Sequence, residues 1–192
     1  MRKNEMFTTQ RLTYAALLVA LQVILGNVTQ IPSIGKQFNF GFLPIAVAGS
    51  LLGAPWAVIV GALGDFFGAH LFPQGAYFAG FTLTNALVGV CYALPLYQRK
   101  PTWVRVIVAT LLVECCNLFL NSYWLSLLYA SKAYWGWVGA RALSYAVEVP
   151  LYTILTYFTL KALQKAKLPD GLALPEQTAG VDNAKSKKNE GN

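Results

Sequence analysis

GFLPIAVAGSLLGAPWAVIVGALGDFFGAHLFPQGAYFAGFTL, residues 41–83, decides how this chain is read. The stretch is apolar and aromatic almost throughout and dense in glycine. It carries only one acid, Asp65, and one histidine, His70. Such a run cannot be an ordinary water-facing surface. It reads as short helices buried in a membrane and packed backbone to backbone, broken by loops containing aromatic residues and proline. The few polar groups that it keeps are costly at that depth and therefore need a function.

The rest of the chain agrees with this reading. Of its 192 residues, 56% are hydrophobic and 12% are charged. A soluble domain carries about 25% charged residues, so composition points to the membrane class. The length suits one helical bundle. The formal net charge of +7 is concentrated at the ends and in one loop. It is a topology signal, and no basic face exists on which a nucleic acid would lie. Cys91, Cys115 and Cys116 fall in apolar segments without metal-type spacing and read as small buried hydrophobes. The first apolar segment is long enough to span and lacks a clear cleavage site, so it reads as a helix and not as a secretory signal.

Six spans are expected: Leu12–Ile31, Phe42–Leu52, Pro55–Leu71, Phe81–Tyr97, Trp103–Tyr129 and Trp137–Leu163. The second is short for a full crossing and can sit inside protein instead of lipid. Basic residues test the count. Arg2, Lys3 and Arg11 precede the first span, Arg99, Lys100 and Arg105 lie between the fourth and fifth, and Lys161, Lys165 and Lys167 follow the sixth. With six spans all three groups fall on one side, which is then cytoplasmic and holds both termini. The other side has only Lys36 and Lys132 in its loops. Residues 1–168 thus read as one six-helix transmembrane domain, in an all-α fold. Residues 169–192 read as a polar, disordered cytoplasmic tail. The external loops, Pro32–Gly41, Phe72–Gly80 and Ala130–Gly136, are longer and more aromatic than the tight cytoplasmic turn Gly53-Ala54-Pro55. Long loops on one side of a rigid bundle suit a binding face.

Polar stripes mark the later helices. Thr82, Asn85, Gly89 and Tyr92 share one face of the fourth. Glu114, Asn117, Asn121 and Trp124 form a continuous stripe on the fifth, and Arg141, Ser144 or Tyr145, Glu148 and Tyr152 do so on the sixth. Such stripes point inward and together imply a polar cavity. Its outer part is cationic and aromatic, through Arg141, Tyr123 and Trp124 with Lys36 and Lys132 outside, which suits an anionic solute with a flat ring system. Asp65 and His70 lack a third partner for a metal or catalytic set. Asp65 reads as a local cap or hydrogen-bonding group. On the third helix Ala57, Gly61, Gly64 and Gly68 form a packing face. On the first, Ala16 and Ala20 make a small-xxx-small pair. No triad, HExxH, Walker or Rossmann pattern is present, so any ATP-driven work belongs to another chain.

Several of these segments together resemble a known family. They are Phe40-Gly41-Phe42-Leu43-Pro44, Gly61-Ala62-Leu63-Gly64-Asp65, Gly75-Ala76-Tyr77-Phe78-Ala79-Gly80-Phe81-Thr82-Leu83-Thr84, Asn121-Ser122-Tyr123-Trp124-Leu125 and Ala140-Arg141 with Pro150. The chain is similar over roughly residues 10 to 165 to folate-specific substrate-binding S components of energy-coupling factor (ECF) vitamin transporters. It departs from their pattern at Ala79, where proline is expected, and at Ser144 and Glu148, where basic or neutral residues are.

The resemblance implies a six-helix subunit of the bacterial plasma membrane that captures a vitamin outside and does no chemistry on it. Its partners would be a transmembrane T component and two cytoplasmic ATPases, with Ala16 and Ala20 at the T-component interface. The ligand implied is folate or a close pterin derivative, with no cofactor and no metal. Arg141 would hold a carboxylate, Asn121 would hydrogen-bond the ring or tail, and Tyr123 and Trp124 would stack or close the pocket. Tyr77, Phe81, Thr82 and Asn85 would line it, with Lys36 and Lys132 as outer candidates. Three other readings stand beside this one: an S component for riboflavin or pantothenate, a small intramembrane enzyme using Glu114, Glu148 or Asp65, and a purely structural subunit.

Overall fold

A helix in lipid has to satisfy its own backbone, turn large apolar side chains outward and keep small residues for its neighbours. The computed structural model of the chain follows that division and describes residues 9–33, 36–73, 77–129 and 133–166. Among the described residues are six helices: α1 (Thr9–Asn27), α2 (Phe42–Leu51), α3 (Ala54–Leu71), α4 (Ala79–Leu96), α5 (Trp103–Leu128) and α6 (Tyr134–Lys165). Each matches an expected span, with ends differing by a few residues. Arg2, Lys3, Lys132, Lys167 and the tail lie outside the described residues, so the expectations placed on them are not addressed by the fold.

The stretch Pro32–Gly41 differs from the plain loop expected. An antiparallel pair, β1 (Ile31–Ser33) and β2 (Lys36–Phe38), overlaps it, with Ile31 opposite Phe38 and Ser33 opposite Lys36, so Ile31, expected at the end of the first span, lies in β1 and not in α1. Phe38 is buried against Phe40 and Tyr152, with ring centroids 5.2 and 5.3 Å away. The pairing satisfies backbone groups while it folds this aromatic side chain over the bundle.

Among the described residues, four helices, α1, α3, α4 and α5, are long and apolar enough to cross a membrane. The other two depart from that standard for different reasons. α6 has 32 residues, but its inward polar stripe lowers its apolar character. α2 has only ten residues, about 15 Å of helix, and eight of them are buried. It is sheathed by α1, α3, α4 and α6, so protein and not lipid surrounds it. Around it α3 packs on α1 and α4, and α5 packs on α4 and α6. The turn from α2 to α3 requires Gly53, whose φ of 91° is a left-handed value and which sits against the Tyr97 ring.

The expected small-residue face of α3 is buried and performs two tasks. At Gly61 it lets α4 approach so closely that a Cβ would lie 2.3 Å from the Asn85 carbonyl oxygen. Gly89 of α4 reciprocates, with Ala57 backbone atoms 2.5 Å from where its Cβ would be. At Gly64 and Gly68 the missing side chains instead make room for Gln22 and Asn27 of α1. Ala16 and Ala20 are exposed on α1, on a face other than the one that buries Ala15, Leu18 and Gln22.

Candidate functional site

The helix ends nearest the hairpin enclose a cavity of about 400 Å³. That size is in the usual range for a small-molecule site. Its lower wall is apolar, from Ile45, Val88 and Val113. Its sides are polar and aromatic. α1 supplies Gln22 and Asn27, α3 supplies Asp65, and α4 supplies Phe81 and Asn85. Across from these, α5 supplies Asn117 and Asn121, and α6 supplies Arg141, Tyr145 and Tyr152. Asn39 and Phe42 enter from the start of α2, and Phe72, Tyr77 and Phe78 from the segment between α3 and α4.

Arg141 is the cation of this lining. It is 8% exposed, and its guanidinium lies 5.7 Å from the centroid of the Tyr145 ring, one helical turn further on. Its Nε has no hydrogen-bond partner among the described residues. A buried guanidinium with an unsatisfied donor, on a cavity wall, is suited to an anion. Asn121 offers the complementary group: its Nδ2 donates to Asn117 Oδ1 at 3.4 Å, while its buried Oδ1 has no partner among the described residues.

Five of the residues expected in the site, Arg141, Asn121, Tyr77, Phe81 and Asn85, line the cavity. Thr82 stands beside it, bonded to Asp65 and Tyr77. Trp124 also sits outside the lining. Its Nε1 donates to Thr84 Oγ1 at 3.0 Å, and its ring packs on Phe78 at 5.6 Å between centroids. It clamps the start of α4 onto α5 and shapes the cavity through Phe78. Tyr123 is 49% exposed and touches Trp124 from outside. Lys36 belongs to β2, and Lys132 lies outside the described residues.

Asp65 does not act as a local cap. It reaches across to α4, accepting from Thr82 Oγ1 at 2.6 Å and from Asn85 Nδ2 at 2.8 Å. Gln22, Asn27 and Asn39 were not among the expected site residues. Gln22 Nε2 donates to the Gly61 carbonyl at 3.3 Å, and the missing side chain of Gly64 leaves room for its amide. Glu114 and Glu148 are buried in the bundle interior but do not line the cavity.

A family model described as "ECF transporter, substrate-specific component" matches residues 10–160. The chain belongs to that family. It is therefore a multi-pass membrane protein of a transporter class, and that class is not one of enzymes. Its relatives include a "Folate transporter FolT" of Clostridium novyi (strain NT), 31% identical over 161 residues, which cover 83% of this chain and 93% of the relative. Another "Folate transporter FolT", from Leuconostoc mesenteroides subsp. mesenteroides, is 28% identical over 158 residues, 79% of this chain and 85% of that one. The chain also superimposes on a solved structure described as "Crystal structure of FolT bound with folic acid". The TM-score is 0.72, at 34% identity, over 79% of this chain and 92% of the other.

In this S component the Trp124–Thr84 bond ties α5 to α4 beside the cavity. Trp124→Phe keeps most of the ring packing and removes the indole donor. The variant is expected to lose about 1 kcal/mol of stability, the usual net contribution of one such bond. Thermal unfolding in detergent reads this directly, and an unchanged midpoint would mean that the bond adds nothing.

Proposed function

We propose that this S component captures folate, or a close pterin derivative, in the cavity at the hairpin end, and that this end faces the outside of the cell. The observation that carries the reading is the buried Arg141 guanidinium on the wall of a small-molecule-sized cavity with aromatic and amide sides. Folate has carboxylates for the guanidinium and a flat ring system for Phe42, Phe81 and Tyr152. The folate transporters among its relatives support the choice of ligand.

In this proposal residues 1–168 form the transmembrane domain and both termini, with the tail 169–192, lie on the cytoplasmic side. Arg11, Arg99, Lys100, Arg105, Lys161 and Lys165 all cluster at the helix ends away from the hairpin, as the charge bias of cytoplasmic loops requires. The energy for uptake comes from a T component and two ATPase subunits. The exposed Ala16–Ala20 strip of α1 is the surface on which the T component docks, since small residues allow close helix approach. Arg141 holds a carboxylate, Asn121 and Asn85 hydrogen-bond the ligand, and Tyr77 and Phe81 cover its ring. Lys36 and Lys132 are outer contributors to attraction of the anion, and Trp124, Tyr123 and Thr82 support the wall.

The test is to purify the protein from bacterial membranes and identify what accompanies it. Mass spectrometry of the released small molecule is expected to find a folate, and proteomics the T component and ATPases. A different vitamin, such as riboflavin or pantothenate, would overturn the ligand assignment.

A further inference from the structure

The cavity is polarised from wall to wall. α6 brings Arg141 to one side, and α3 brings the carboxylate of Asp65 to a different side, next to α1 and α4. These are the one base and the one acid among the described lining residues. An anion alone does not need an acid in its site, and a carboxylate at membrane depth is costly.

The hydrogen bonds of Asp65 fix its orientation without using it up. Thr82 Oγ1 donates to Oδ2 and Asn85 Nδ2 donates to Oδ1, both from α4. An ionised carboxylate has about four acceptor positions, so about two remain. Thr82 spends its single proton on Asp65, so in the 2.9 Å contact between Tyr77 Oη and Thr82 Oγ1 the tyrosine is the donor. The chain Tyr77–Thr82–Asp65–Asn85 thus holds an acceptor in place on the cavity wall. Gln22 adds a second acceptor to that side: its Oε1 is buried and without a partner among the described residues.

We propose that Asp65 is a ligand-binding residue that accepts hydrogen bonds from a donor–donor edge of the bound molecule. The chemistry that fits is an exocyclic amino group adjacent to a ring N–H, as on a 2-amino-4-oxo heterocycle. The site then takes a dipolar ligand, with a donor edge toward Asp65 and a carboxylate toward Arg141. It disfavours anions that lack such an edge, because they would meet the Asp65 charge with nothing to offset it. The heterocycle assignment rests on the folate reading above.

The experiment compares folic acid with its 2-desamino-2-methyl analogue, which lacks the amino donor, on the full chain purified in detergent. Wild-type protein is expected to bind the analogue about 100-fold more weakly, the scale of hydrogen bonds to a charged acceptor. Asp65→Asn is expected to lose a similar factor for folic acid and a smaller one for the analogue, which keeps only the ring N–H donor. A structural role alone would weaken both ligands by the same factor, and that result would overturn the proposal. Equal binding of the two ligands to wild-type protein would also overturn it, and this arm needs no variant to fold. In both of those cases folic acid still binds and the folate reading survives. Failure of wild-type protein to bind folic acid would sink both.

Discussion

Gly61→Val is expected to prevent α3 and α4 from packing and to leave little folded protein. The Cβ of any residue at this position would lie 2.3 Å from the Asn85 carbonyl oxygen and 2.9 Å from its carbonyl carbon. Those are backbone atoms, so no side-chain rotation relieves the overlap and the helices have to separate. The α3–α4 contact is the largest between helices in the bundle, and Gly89 against Ala57 depends on the same approach. Overpacking a well-filled core typically costs 1–3 kcal/mol, and a backbone clash on this scale is expected to cost about 3 kcal/mol or more. Native proteins have only about 5–15 kcal/mol in total. Asp65 would suffer with it, because Asn85 follows α4 outward. Gly139→Ala is the matched control, since nothing among the described residues lies within 4 Å of the added Cβ. Thermal unfolding in detergent should show a large loss for Gly61→Val and none for Gly139→Ala. Equal midpoints would contradict the packing described for α3.

Arg141→Ala is expected to weaken folic acid by about 2–5 kcal/mol, the scale for truncating one partner of a buried charged contact. Arg141 is held by α6 within the cavity wall, with its aliphatic stem buried and its guanidinium over Tyr145. Arg141→Lys should restore only part of the binding, because a point charge replaces a planar fork. The dimethyl ester of folic acid separates charge recognition from general damage. Wild-type protein should prefer the acid strongly, and Arg141→Ala should erase the preference. Should the variant bind folic acid with wild-type affinity, Arg141 has no part in the site.

The helix count was legible because apolar length and the grouping of basic residues impose it together. The short second span announced itself by its length, too small to cross the bilayer alone, whereas its burial by four neighbouring helices emerges only from the packing. The stripes of α5 and α6 were legible because Asn117 with Asn121, and Arg141 with Tyr145, repeat at one helical turn. What the chain alone does not reveal is how one helix registers on another. Gln22 and Asn27 are isolated amides in an apolar α1, and only the facing Gly64 and Gly68 admit them. Asp65 has no partner within its own helix because its partners are Thr82 and Asn85 of α4. Tyr123 adjoins Trp124 in sequence, yet one residue turns a helix by about 100°, enough to point its ring outward. The hairpin at Ile31–Phe38 was hidden because its strands are only three residues each.

The central claim is capture of folate in the cavity between Arg141 and Asp65. Calorimetric titration of the purified, ligand-stripped protein with folic acid, riboflavin and pantothenate tests it most directly. Tight one-to-one binding of folic acid, with no binding of the other two, is the predicted result. Tight binding of riboflavin or pantothenate without folic acid, or no binding of any of the three, would contradict it.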